Sequence, residues 1–285
     1  MDLCNILNFF SGYGESPVIW KNDFHYADKY NDNGLMELYK NYRLERLLNQ
    51  SGDLLNFCKA MQWVHENLLH HEIEDDYQGR LIATDIIAYA KTMRTSVNCI
   101  AHAVTLSQVL LAMGYKARYV ECLFIDGLEY DFHVVTEAFS LELNHWVLLD
   151  STINSYFSDD NNNILSLIEF RNRIINCLPV QFHYCDRFAN SGAKRSLITQ
   201  KYSEAAFIES LKKNLFVLQY PKNNDVKSYI GKQETYFYRL VPTNYYCTNT
   251  EKRVLDYRFG SVCYRYTDNP SFIYERPLYD KNITD

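Results

Sequence analysis

Residues 96–120, SVNCIAHAVTLSQVLLAMGYKARYV, and residues 133–152, HVVTEAFSLELNHWVLLDST, decide how this chain folds. In the first stretch a short polar lead-in ends at Asn98. An apolar pattern of helical period then starts, with Ile100, Ala103, Val104, Leu110 and Leu111, and it closes at Gly114. Cys99 therefore stands at a helix N-terminus. There the unpaired backbone N–H groups and the positive end of the macrodipole favour a thiolate over a thiol, and the thiolate is the nucleophilic form of cysteine.

The second stretch predicts two strands, His133 to Phe139 and His145 to Asp150, joined by the polar segment Ser140 to Asn144. A hairpin centred on Leu141 and Glu142 sets His133 opposite Asp150, Val135 opposite Leu148 and Glu137 opposite Trp146. Directly opposed residues of an antiparallel pair have Cβ atoms about 4.5–5.5 Å apart, so the imidazole reaches the carboxylate. The carboxylate would fix the imidazole tautomer and leave the other ring nitrogen for the thiol of Cys99. A one-residue slip would send the two side chains to opposite faces.

At these residues the chain resembles the transglutaminase-like superfamily. Its members carry a cysteine at a helix start, a His-x-x-x-Glu strand and a Trp-x-x-x-Asp-x-Thr strand, matched here by Cys99, HVVTE from His133 and WVLLDST from Trp146. MGYKARYV is similar to the family's Gly-x-x-x-Arg segment, and Ser151 stands where the family commonly has proline. The resemblance covers roughly residues 54 to 157. It implies a papain-like core with a helix packed on an antiparallel sheet, and thiol acyl-transfer chemistry on amides. Members of the family divide among cross-linking transferases, peptidases, deglycosylating amidases and inactive scaffolds, so the resemblance names a mechanism more firmly than a substrate.

Taken singly, a cysteine at a helix start reads as a small buried hydrophobe, and a histidine on a strand as a satisfied polar residue. Their order, with Trp146 and Asp150 on one strand parity, favours a Cys99–His133–Asp150 triad. An oxyanion hole is also needed, because charge develops on the former carbonyl oxygen. The Cys99 backbone N–H is its natural first donor, and Asn98, Trp63 or a residue within Tyr89 to Thr95 supplies the second. Capping the helix is the more common job for an asparagine just before one, and Asn98 is suited to it. His102, one turn beyond Cys99, is a candidate to line the site and reads first as a helix-surface residue. Glu137 shares the face of His133. It reads as a rim carboxylate paired with Trp146 or an arginine, and with Trp146 it is a second-rank substrate contact.

The stretch His65 to His70 imitates a zinc-peptidase helix, but its histidines are five apart. Five helical steps leave the two side chains roughly 140° apart, whereas the four-residue spacing of H-E-x-x-H keeps both ligands on one face. It reads instead as the solvated face and end of a helix. His145 is expected on the face opposite Asp150, in a structural role.

The chain has 285 residues, is 47% hydrophobic and carries a net charge of −6. That length buries a sizeable core, and the absence of a lysine or arginine block argues against nucleic acid as a partner. No apolar stretch has membrane-spanning length, and the start MDLCNILNFFSGYGESP lacks a basic n-region, so a cytoplasmic protein is expected. The eight cysteines show no C-x-x-C and no clustering with histidine, which disfavours structural zinc; seven read as reduced packing or surface thiols. The run Asp159, Asp160 and Asn161 to Asn163 reads as a turn rather than a calcium loop. No cofactor and no metal are expected.

The whole reads as an α+β fold. Residues 1–34 form an irregular lead-in, 35–178 the transglutaminase-like core and 179–285 a β-rich extension that completes the sheet, covers the groove or binds a partner. Helices are expected near Leu35 to Leu48, Leu54 to Leu69, Ala83 to Thr92, Leu165 to Ile175 and Ala205 to Asn214, with strands within Tyr236 to Tyr266. The expected function is cysteine-dependent hydrolysis of a peptide or protein amide through a thioester. A protein-glutamine transamidase and a non-catalytic interaction module are the alternatives.

Overall fold

The computed structural model describes residues 12–20, 22–48, 52–68, 77–124, 132–185, 203–230, 234–245, 250–256 and 259–278. In chain order a short strand β1 (His25–Tyr26) precedes the helices α1 (Asn33–Tyr42), α2 (Asp53–Leu68), α3 (Ala83–Met93) and α4 (Cys99–Ala112). Strands β2 (Lys116–Leu123), β3 (His133–Ser140), β4 (His145–Asp150) and β5 (Ser155–Ser158) follow, then α5 (Leu167–Ile175), β6 (Gln181–Tyr184) and α6 (Glu204–Lys212). The chain continues through β7 (Val217–Pro221), β8 (Asn223–Asn224), β9 (Thr235–Leu240), β10 (Glu251–Asp256), β11 (Gly260–Thr267) and a single helical turn, α7 (Pro270–Ile273). The fold is mixed α+β.

Helix α4 is the centre of the packing. Asn98 caps it, its side-chain oxygen accepting from the Ala101 N–H at 3.2 Å, and Gly114 leaves it with φ at 100°. Every residue from Ile100 to Ala112 is buried, because the helix packs against β2 and β3 and also meets α1, α2 and α3. A helix apolar on all sides is a core helix rather than an amphipathic one. Removing a buried leucine from it, such as Leu106, would cost about 2–5 kcal/mol.

The expected helix over Leu35 to Leu48 is interrupted. Arg43 takes φ 52°, in the left-handed region, which ends α1 and starts a separate 3-10 turn at Leu44–Leu47. Helix α5 starts at Leu167 rather than Leu165, since Ser166 and Glu169 form a reciprocal capping box there.

One nine-stranded sheet runs in the order β10-β11-β9-β7-β2-β3-β4-β5-β6. Its pairs are antiparallel except β9 with β11, which are parallel, so the sheet is mixed and not the purely antiparallel one expected. Five strands, β6, β7, β9, β10 and β11, come from beyond residue 179 and continue the sheet laid down by β2 to β5. The hairpin register also differs from the expected one. Glu137 stands opposite Leu148 and Phe139 opposite Trp146, a slip of two residues, because the turn occupies Leu141 to Asn144 with Asn144 at φ 49°. A two-residue slip preserves the alternation of faces.

The lead-in is a strap rather than a loose segment over its described part. Strand β1 pairs with β8, and Asp32 both caps α1 and accepts from the Val226 N–H at 2.9 Å. Tyr26 packs on Trp146 with ring centroids 5.9 Å apart.

Beneath it Arg118 of β2 and Glu137 of β3, opposite each other in register, form a fully buried ion pair. Arg118 Nη2 donates to Glu137 Oε2 at 2.9 Å and its Nε donates at 3.2 Å. The other carboxylate oxygen accepts from the Leu167 N–H and the Tyr274 hydroxyl. The guanidinium lies over Trp146 at 4.0 Å and Tyr220 at 4.5 Å. Glu137 is therefore not on a rim. Among the described residues no helix is long and apolar enough to cross a membrane.

Candidate active site

The ends of three elements converge where β3 begins, β4 ends and α4 begins. His133 is the first residue of β3, and its Nε2 lies 2.7 Å from Asp150 Oδ2. Asp150 is 1% exposed, and its second oxygen accepts from Thr152 twice, from the backbone N–H at 2.9 Å and the hydroxyl at 2.6 Å. With Oδ1 held by Thr152, Oδ2 is left pointing at the imidazole. This is an Asx turn put to use as an aiming device.

Cys99 is close enough to the same imidazole to help raise its pKa. With Nε2 taken by Asp150, Nδ1 is the nitrogen left for the thiol. The sulfur also lies 4.0 Å from the Phe132 carbonyl oxygen. Cys99 is partly accessible and the His133 side chain is 15% exposed, so the cluster reaches the surface at one edge.

The electrostatics follow from this placing. Burial alone would make His133 give up its proton readily, but the charge of Asp150, its hydrogen bond and the neighbouring Cys99 outweigh that and hold the imidazole pKa well above its ordinary value. Burial likewise pushes the Asp150 carboxyl up. The His133 charge and the bonds from His133 and Thr152 overcome it and leave the carboxyl below the usual range. The pair is thus imidazolium and carboxylate at neutral pH.

The remaining sequence candidates fall elsewhere. Asn98 is the helix cap. Trp63 packs edge-on against Tyr42 at 5.5 Å and its carbonyl accepts from Asn67, neither being part of the cluster. Trp146 is buried on Arg118 and Phe139, and Glu137 is spent on Arg118, so both serve the interior of the sheet rather than a substrate. His102 is fully buried, because α4 presents no solvent face on which a histidine could lie. His65 is buried too, its Nδ1 2.9 Å from the Ser151 carbonyl, which corrects the solvated face expected for it. His70 lies outside the described residues. His145 pairs at its Nε2 with Glu169 Oε2 at 2.9 Å.

The first backbone N–H groups of a helix have no carbonyl partner within it, and in α4 the Asn98 side chain takes that of Ala101. Cys99 opens its first turn.

Three residues at the site were not singled out from the sequence. Thr152 had a signal, the Asp-x-Thr spacing that lets a carboxylate accept from the residue two positions on. Cys122 sits directly opposite His133 in the β2–β3 register, and burial together with the nearby Glu137, Asp150 and Cys99 charges drives its thiol well above the ordinary value. Phe207 of α6 meets the His133 ring edge to face at 6.0 Å. No local pattern links residues 133 and 207.

No family model matches the chain, and no curated protein matches it. A solved structure, "The Crystal Structure of a Putative Cysteine Protease from Cytophaga hutchinsonii", aligns with a TM-score of 0.31 and 16% identity. The alignment covers 61% of this chain, which spans 56% of that one. A likeness this slight leaves the chemistry to be argued from the site itself.

Proposed function

We propose that the protein is a cysteine-dependent amide acyl-transfer enzyme with a papain-like, transglutaminase-like core, acting as a hydrolase on a peptide or protein amide. One observation carries the reading: an imidazole at a strand start is hydrogen-bonded to a buried carboxylate, and the thiol that helps raise its pKa stands at a helix N-terminus. Cys99, His133 and Asp150 are the proposed nucleophile, acid–base and orienting carboxylate.

The Cys99 thiolate attacks the amide carbonyl carbon, forming a C–S bond and placing charge on the oxygen, which the Cys99 backbone N–H stabilises. His133 Nδ1 gives its proton to the leaving nitrogen as the C–N bond breaks, and the free amine departs. A water molecule then loses a proton to His133 while its oxygen attacks the thioester. The C–S bond breaks, the acid is released and the ion pair returns. Asp150 stays ionised throughout and keeps Nε2 protonated. A transferase would put an amine in place of that water.

Six described cysteines, at 58, 99, 122, 177, 185 and 263, are free thiols, which suits a reducing, cytoplasmic setting as part of the same proposal. The deciding experiment is labelling with an electrophilic thiol probe, followed by mass spectrometry of the modified peptide. Selective, His133-dependent labelling of Cys99 supports the enzyme. Labelling of Cys99 only after denaturation would sink it in favour of a non-catalytic module.

A further inference from the structure

A histidine on the first residue of a strand has one neighbour fewer than one in the middle of a ladder. The bond to Asp150 fixes the position of Nε2 but leaves the ring free to pivot about the Nε2···Oδ2 line, and a pivot carries Nδ1 away from the sulfur. Something must hold the plane of the imidazole. Helix α6 supplies the candidate: Phe207 meets the His133 ring at 87° with centroids 6.0 Å apart.

Phe207 is itself backed by a line of rings leading into the core. Phe182 on β6 meets it at 77° and 6.0 Å, and Phe157 on β5 meets Phe182 at 76° and 5.0 Å. Phe157 is 1% exposed and packs on Phe170 of α5 at 4.8 Å. Edge-to-face rings have a preferred mutual angle as well as a preferred distance, so such a line transmits orientation and not merely pressure. Helix α6 is held at its start by the Ser203 cap and by Tyr184, whose hydroxyl donates to Glu204 at 3.3 Å. At its other end the buried Leu211 anchors it.

We propose that Phe207 is a positioning residue, setting the plane of the His133 imidazole from the buried ring of Phe157 through Phe182, so that Nδ1 stays directed at Cys99. The inference rests on the reading of His133 as the acid–base group. It gives the segment beyond residue 179 a part in the chemistry, since both Phe182 and Phe207 come from it.

The test uses the full-length chain and iodoacetamide, so no substrate is required. Phe207→Leu keeps an apolar side chain and removes the ring; Phe207→Tyr keeps the ring. The expected result is that Phe207→Leu lowers the alkylation rate of Cys99 at mildly acidic pH about tenfold or more, as misplacement of a reacting group does. The exposed Cys177 should meanwhile react as before and the urea midpoint should hold. Phe207→Tyr should restore the rate of the parent. An unchanged rate in Phe207→Leu, or equal losses in the two variants, overturns the positioning role and leaves the proposed function standing. A parent protein whose Cys99 alkylation does not depend on His133 overturns both.

Discussion

His133 and Asp150 are hydrogen-bonded at 2.7 Å although they do not face each other across the hairpin. The ladder sets Thr136 opposite Leu149 and Glu137 opposite Leu148, so His133 meets Asp150 along a diagonal. Diagonal neighbours lie about 7–8 Å apart, within reach of a long side chain when both point to one face. Thr152 completes the aim by holding the far oxygen. Replacing Asp150 with Asn should therefore leave the fold intact and lower turnover by about 10²- to 10⁴-fold, because an amide stabilises neither the required tautomer nor the imidazolium. Thr152→Val, which keeps the backbone donor, should cost less than Asp150→Asn in the same assay. Equal rates for parent and Asp150→Asn would remove Asp150 from the mechanism.

Thiol reactivity separates Cys99 from its neighbour. Cys122 stands opposite His133 yet is buried among negative groups that oppose its ionisation, whereas Cys99 helps raise the imidazole pKa and is partly accessible. Mass spectrometry after brief alkylation at mildly acidic pH should find Cys99 modified first and Cys122 unmodified until the protein unfolds. His133→Ala should abolish the lead of Cys99. Early modification of Cys122 would mean that the sheet end is open to solvent.

Removing one member of the Arg118–Glu137 pair leaves the other buried and uncompensated, at a cost of about 3–5 kcal/mol. Glu137→Ala should show this loss in urea unfolding, since it also strands the Leu167 N–H and the Tyr274 hydroxyl. Arg118→Met with Glu137→Leu should recover a good part of it. If Glu137→Ala instead unfolds like the parent, the ion pair does not hold this part of the sheet.

The same chemistry sets a pH window for stability. The folded-state pKa of His133 is pushed up to about 10, so its contribution is complete below the unfolded value of about 6.5 and disappears as pH rises through the folded one. Asp150 is depressed, so its share is complete above about 3.9 and is lost as pH falls through its lowered value. Unfolding free energies measured from acid to alkaline pH should therefore form a plateau between these limits, and His133→Ala should flatten the alkaline side. A parallel alkaline decline in parent and variant would assign that limb to other groups.

How much of this was legible beforehand depends on the distance over which the signal acts. The Asn98 cap, the Gly114 stop and the alternation along β3 and β4 are local, and they located the helix start and the shared face of His133 and Asp150. The exact register was not local information, because the four-residue turn with Asn144 in the left-handed region is set by backbone fit. His102 was misread because α4 looks amphipathic at a few positions, while its environment is apolar on all sides. Glu137 found an arginine, as its type suggested, but deep in the sheet, where the strap around Tyr26 and the turn at Tyr274 close over it. The pairing of β2 with β7, and the reach of Phe207 back to His133, join residues far apart in sequence and leave no periodic trace.

Hydrolysis and transfer differ only in the acceptor, and the acidic run after β5 bears on which metal dependence to expect. Asp159 is occupied by the chain itself: one oxygen accepts from the Asn161 and Asn163 N–H groups at 2.8 Å each, the other from the Asn163 side chain at 2.9 Å. Asp160 is paired with Arg173. Carboxylates already satisfied in this way make a turn and do not present a calcium loop. Turnover of a peptide or amide substrate should accordingly survive chelation of divalent cations, release free acid with no amine added, and vanish in Cys99→Ala with little loss of stability. Product that forms only when an amine is supplied would identify a transferase, and turnover that persists in Cys99→Ala would refute the thioester route altogether.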